Sequence, residues 1–121
     1  MSNKVLIVED EQSFISAYKL AFSNAGIEAV FASNGIEGLK MAESENPKVI
    51  LLDLVMPEMD GYTFLQRFKQ NSKISHIPVY VMSSLPQVAI ESSVDKSAIA
   101  GILNKTDYTP KKIIETIKHL L

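Results

Sequence analysis

The chain has 121 residues, 12 Lys and Arg against 14 Asp and Glu, a net charge of −2 and no cysteine. That length suits one domain, residues 1–121, with a core of its own, and without cysteine there are no disulfides, zinc–thiolate sites or thiol nucleophiles. No basic cluster of the kind that binds nucleic acid or anionic membranes is present, no apolar run exceeds the four residues of Val49–Leu52, and the N-terminus has no signal-peptide pattern. The expectation is a soluble cytoplasmic domain that neither touches nucleic acid directly nor enters a membrane.

In chain order, short apolar runs alternate with helical periodicity. Val5–Val8, Val49–Leu52 and Val79–Met82 are apolar at every position, as parallel strands covered on both faces require. Ala29–Phe31 and Gly101–Leu103 are shorter or weaker and suit edge strands. Between the first two runs, Phe14, Tyr18 and Ala21 form a stripe that Ile15 and Phe22 widen. Asn34-Gly35-Ile36-Glu37 has the form of a capping box ahead of Ile36, Leu39 and Ala42, with Pro47 closing the segment. Asp60 is placed to cap a helix carrying Phe64, Leu65 and Phe68. The stretch 86–94 is the weakest helix, because Ser92, Ser93 and Val94 are mediocre helix formers. Thr109-Pro110 starts a last helix with Ile113, Ile114, Ile117, Leu120 and Leu121. Five strand–helix pairs in alternation predict an α/β fold, a doubly wound five-stranded parallel sheet with right-handed crossovers and five helices.

In such a sheet the functional crevice lies beyond the carboxyl ends of the strands. Those ends carry Glu9-Asp10, Asp53, Ser83-Ser84 and Asn104-Lys105-Thr106. Three carboxylates brought together repel one another unless a cation is present. An oxygen-only donor set points to a hard cation such as Mg²⁺, or its relative Mn²⁺. A hydroxyl and a lysine beside that cation suit a phosphoryl group, and Asp53 is then the strand-end carboxylate positioned to attack phosphorus. Glu9 and Asp10 could equally cap the first helix, Asp53 a turn, and Ser83 and Lys105 could be ordinary surface groups.

The chain resembles the receiver domain of two-component response regulators over essentially its whole length. The residues that carry the resemblance are Val5-Leu6-Ile7-Val8-Glu9-Asp10-Glu11, Leu51-Leu52-Asp53-Leu54-Val55-Met56-Pro57-Glu58-Met59-Asp60-Gly61, Pro78-Val79-Tyr80-Val81-Met82-Ser83 and Lys105. The resemblance implies the flavodoxin-like strand order 2-1-3-4-5. It implies Asp53 as phosphoacceptor and Asp10 as a direct Mg²⁺ ligand, with Glu9 acting largely through water. The main-chain carbonyl of Val55 then completes the protein's share of the metal shell, Ser83 supplies the hydroxyl that bonds the phosphoryl group, and Lys105 is the phosphate-binding lysine. The partners implied are a sensor histidine kinase or histidine phosphotransfer protein upstream, and downstream an effector protein or an output domain. The domain is then a switch rather than an enzyme, and either a stand-alone receiver or the front of a longer regulator.

The sequence departs from the family pattern at two places near the lysine. Ile102 stands where Tyr or Phe is common, and Thr106 follows Lys105 where proline with a cis bond is usual. A trans bond is expected at Lys105–Thr106, since a cis bond before a non-proline residue costs ~2.5–4 kcal/mol. Val55 and Leu85, at positions that border the path of hydrolytic water in the family, are both apolar. The rival readings are a phosphorylation-independent interaction module on a receiver scaffold, an aspartyl-phosphate hydrolase and a flavodoxin-like mononucleotide module. The hydrolase lacks a second aspartate at Val55, and Glu9, Asp10 and Glu11 would repel a mononucleotide phosphate.

Overall fold

The computed structural model describes residues 3–56 and 58–121. Pro57, one of the residues that carry the resemblance, lies outside the described residues. Strands β1 (Val5–Val8), β2 (Ala29–Ala32), β3 (Val49–Asp53), β4 (Val79–Ser83) and β5 (Gly101–Asn104) alternate with helices α1 (Gln12–Asn24), α2 (Gly35–Glu45), α3 (Gly61–Lys69), α4 (Gln87–Ser93) and α5 (Pro110–Ile117). All four strand pairs are parallel, and the order is β2-β1-β3-β4-β5. The two weaker apolar runs form the edge strands.

The pleat divides the buried side chains into two layers. Leu6, Val8, Ile50, Leu52, Val79 and Val81 face α2, α3 and α4, packing with Ala42, Phe64, Leu65, Phe68 and Ile90. Val5, Ile7, Val49, Leu51 and Met82 face α1 and α5, packing with Tyr18, Phe22, Ile113, Ile114 and Ile117. A strand covered on both sides has no position for a polar residue, which is why the central runs are apolar throughout.

Caps and close approaches fix the helices. The side chains of Asn34, Asp60 and Thr109 accept from the N–H groups of Glu37, Thr63 and Lys112 at the starts of α2, α3 and α5, satisfying donors the helices leave unpaired. α2 ends at Asn46, which adopts the left-handed conformation (φ 49°) ahead of Pro47. The stripe expected of α1 faces the core, with Ile15, Tyr18 and Phe22 buried and Phe14 and Ala21 half-buried beside them. The stripe expected of α2 is corrected. In α2, Ile36 is exposed, because the helix approaches its neighbours along Gly35 and Gly38 instead. A Cβ on Gly35 would sit 2.8 Å from Met59, so this approach admits no larger residue there.

α4 is the weakest element, as its sequence predicts. It spans seven residues, its N-cap Pro86 makes no side-chain cap bond, and Ile90 is its buried residue. The Ser93 hydroxyl donates to the Ala89 and Ile90 carbonyls, a local competition that weakens helices.

Gly61 opens α3 directly beneath the end of β3, where a Cβ would lie 2.6 Å from the Leu54 Cα and 2.8 Å from the Asp53 carbonyl oxygen. Backbone atoms cannot rotate out of the way. Gly61→Ala should therefore cost about 1–3 kcal/mol in urea unfolding. Gly101→Ala, whose Cβ meets only the movable Tyr80 ring, should cost less. Equal costs would show that the β3–α3 loop yields freely.

Candidate functional site

Because the strands run one way, the carboxyl ends of β1, β3, β4 and β5 deliver polar groups to a single cleft. It measures about 430 Å³ and is lined by Asp10, Glu11, Phe14, Asp53, Val55, Ser83, Ser84, Leu85 and Lys105. Glu9, Asp10 and Asp53 each bring a carboxylate oxygen to within 4.8 Å of the others. Glu9 and Asp53 are buried while Asp10 is exposed, so the cluster has a solvent side and a protein side.

Lys105 occupies the protein side. Its Nζ lies 2.6 Å from Glu9 Oε1 and 3.4 Å from Asp53 Oδ2, with only 6% of its side chain exposed. It also sits over the Phe14 ring, 4.1 Å from the centroid, a cation–π contact that carries more weight away from water. Glu9 Oε2 accepts from the Glu11 N–H at 3.1 Å, and Asp53 Oδ1 accepts from the Val55 N–H at 3.3 Å. Burial pushes the Glu9 carboxyl up to about 7 against the pull of Lys105, and the Asp53 charge pushes it the same way.

Ser83 is buried at the end of β4, and its Oγ accepts from the Leu85 N–H at 3.1 Å. Val55, 59% exposed, and half-buried Leu85 form the apolar rim of the cleft. The all-oxygen cluster fits a hard divalent cation. Neither Glu9 nor Asp10 is the N-cap of the first helix; that residue is Glu11, whose side chain makes no cap hydrogen bond.

The response regulator receiver domain model matches residues 5–118. The chain belongs to the response regulator receiver family. It is 28% identical to the polar-differentiation response regulator DivK of Brucella anthropi, across 100% of this chain and 98% of that protein. Among solved structures it is similar to the chemotaxis response regulator CheY4 of Vibrio cholerae, at 25% identity, TM-score 0.85 and full coverage of both chains. It is also similar to the receiver domain of the Francisella response regulator 1452, at 27% identity and TM-score 0.85, covering 98% of this chain and 96% of that one.

The receiver fold thus brings Glu9, Asp10, Asp53, Ser83 and Lys105 around one space, with Val55 on its rim. Two residues at this site went unassigned in the sequence. Phe14 counts there as a core residue, yet it packs under the lysine; its place in the first turn of α1, just past the acidic loop, was the available signal. Asn104 sits beside Lys105 as one of three polar residues after an apolar strand. Its side chain is buried and bonds to both Leu85 and Thr106, which the sequence shows only as a polar residue at a strand end. No peptide bond among the described residues is cis. The Thr106 N–H, which a proline would lack, donates to Asn104 Oδ1 at 2.9 Å.

The raised carboxyl of Glu9 gives a signed pH dependence. From its ordinary 4.5 up to about 7, the folded protein holds a proton that the unfolded chain has lost. Stability contributed through Glu9 therefore falls as pH rises through this window and is level on either side. In the metal-free protein, the unfolding free energy of wild type relative to Glu9→Gln should decline between these limits in urea titrations. Parallel profiles would show that Glu9 ionises normally.

Proposed function

We propose that this receiver is a phosphorylation-dependent switch that accepts a phosphoryl group on Asp53 from the phosphohistidine of a sensor histidine kinase or phosphotransfer protein in the cytoplasm. The observation that carries the reading is Asp53 at the end of a buried strand, with the Lys105 ammonium 3.4 Å from its Oδ2 and two more carboxylates within 4.8 Å. Asp53, Asp10 and the Val55 carbonyl are the groups to hold Mg²⁺ or Mn²⁺, with Glu9 acting through water. When bound, the cation offsets the carboxylate charges and those of the incoming phosphoryl oxygens.

An Asp53 carboxylate oxygen forms the new O–P bond as the P–N bond of the donor breaks, and the electron pair leaves on the imidazole. The product is an acyl phosphate and a free histidine. Lys105, held between Glu9 and Asp53 in the resting domain, turns its charge to the phosphoryl oxygens. The Ser83 hydroxyl supplies a hydrogen bond at the end of β4. The domain assists only its own phosphorylation and dephosphorylation, and its output is read by a downstream effector or output domain.

Intact-mass measurement after incubation with a small-molecule acyl phosphate tests this directly. Wild type with a divalent cation should gain the mass of one phosphoryl group, whereas Asp53→Ala, or wild type in excess chelator, should gain none. An unmodified wild type would favour the interaction-module reading, and a modified Asp53→Ala would place the acceptor elsewhere.

The apolar rim predicts persistence. Neither Val55 nor Leu85 can orient a water toward a phosphoaspartate, so hydrolysis should be slow. Val55→Asn or Leu85→Glu should shorten the phosphorylated lifetime severalfold in the same mass assay. Unchanged decay in both variants would remove the rim from the account.

A further inference from the structure

Pairing of β4 with β5 ends at Ser83 and Asn104, which are register partners. The last main-chain rung runs from the Lys105 N–H to the Ser83 carbonyl at 2.9 Å. Beyond it the chains part, one toward α4 and the other toward α5. Asn104 adds a further tie through its side chain. The residue is only 7% exposed, and its Nδ2 donates to the Leu85 carbonyl at 2.9 Å. Its Oδ1 accepts from the Thr106 N–H at 2.9 Å and from the Thr106 hydroxyl at 2.6 Å.

Leu85 is thereby held at both of its main-chain polar groups. Its N–H donates to Ser83 Oγ, and its carbonyl accepts from Asn104. A hydroxyl that accepts one hydrogen bond keeps its own proton to give. Ser83 can thus donate into the cleft without releasing Leu85.

We infer that Asn104 is a positioning residue whose bridge to Leu85 sets the Ser83 and Lys105 walls of the cleft relative to each other and ties the β4–α4 loop to both. This role rests on the reading of the cleft as a phosphoryl site. A phosphoryl group between Ser83 and Lys105 draws on both walls. Ser83 carries the Leu85 N–H with it, while Asn104 holds the Leu85 carbonyl to the end of β5. The loop therefore turns about two fixed points rather than swinging freely, and the element it moves is α4, anchored through Ile90. An amide suits the place because it donates across the gap and accepts locally at once.

The test compares two variants. Asn104→Ser keeps an oxygen for the Thr106 N–H but is too short to reach Leu85. Thr106→Val removes the hydroxyl bond and leaves the bridge. Ile113→Val, in the core on the other face of the sheet, controls for a general loss of stability. Each protein is treated with a small-molecule acyl phosphate and Mg²⁺, and amide exchange is followed by mass spectrometry before and after.

In unmodified Asn104→Ser, amides of residues 85–93 should exchange about tenfold faster than in wild type, the factor that matches one buried hydrogen bond. Their response to phosphorylation should shrink, and Asp53 should be modified severalfold more slowly. Thr106→Val and Ile113→Val should show neither the localised exchange nor the slower modification. Wild-type exchange in Asn104→Ser, or an equal effect in Thr106→Val, would reduce Asn104 to a local turn residue. A wild type that takes no phosphoryl group would overturn the proposed function and this role together. A phosphorylated wild type with a silent Asn104→Ser would overturn this role alone.

Discussion

The buried ammonium of Lys105 is the interaction on which the cleft depends. The parallel sheet delivers Glu9 and Asp53 to the same side of the molecule, with Asp10 next in sequence, and two of the three acids are withdrawn from water. Like charges so placed would force protons onto the carboxyls. Lys105 answers this from inside, 2.6 Å from Glu9 and 3.4 Å from Asp53, with the Phe14 ring beneath it. Burial nevertheless holds the Glu9 carboxyl above its ordinary range, with the Asp53 charge adding to it. The remaining negative charge faces the open side of the cleft through exposed Asp10, where a cation can reach it.

Much of this architecture was legible in the sequence because its causes are local. Strands buried on both faces must be apolar at each position, so Val5–Val8, Val49–Leu52 and Val79–Met82 announce themselves. The caps at Asn34, Asp60 and Thr109 bond only three residues ahead, and their residue types give them away. The acidic and basic groups at the strand ends followed from the sheet itself. Side chains whose partners are distant in sequence were not legible. Asn104 reaches back to Leu85, and Phe14 meets Lys105 from near the other end of the chain. Ile36 looked like a core residue by its period, but the glycines beside it set the approach of α2 and left it outside.

The departures around Lys105 have a shared physical setting. Ile102 is half-buried and packs against the α2–α4 side of the sheet, while Leu103 packs on the α1–α5 side. A β-branched side chain in that place has little rotamer freedom, so it offers no large inward and outward swing. Thr106 uses the N–H that a proline would lack to bond Asn104. The loop after β5 is therefore shaped by side-chain hydrogen bonds instead of by a ring. That exchanges a rigid covalent constraint for a polar one that responds to its neighbours.

The slight anchoring of α4 has a thermodynamic consequence that reaches beyond this chain. Any protein that grips the loop and helix in one arrangement better than in another shifts the balance between them by its difference in affinity, and by no more. Such coupling is reciprocal. An effector that prefers the arrangement favoured by an occupied cleft raises the occupancy of the cleft by the same factor. A helix held through Ile90 costs little to rearrange, so a small difference in affinity is enough to shift it. The listener, in such a design, helps to sustain the message it receives.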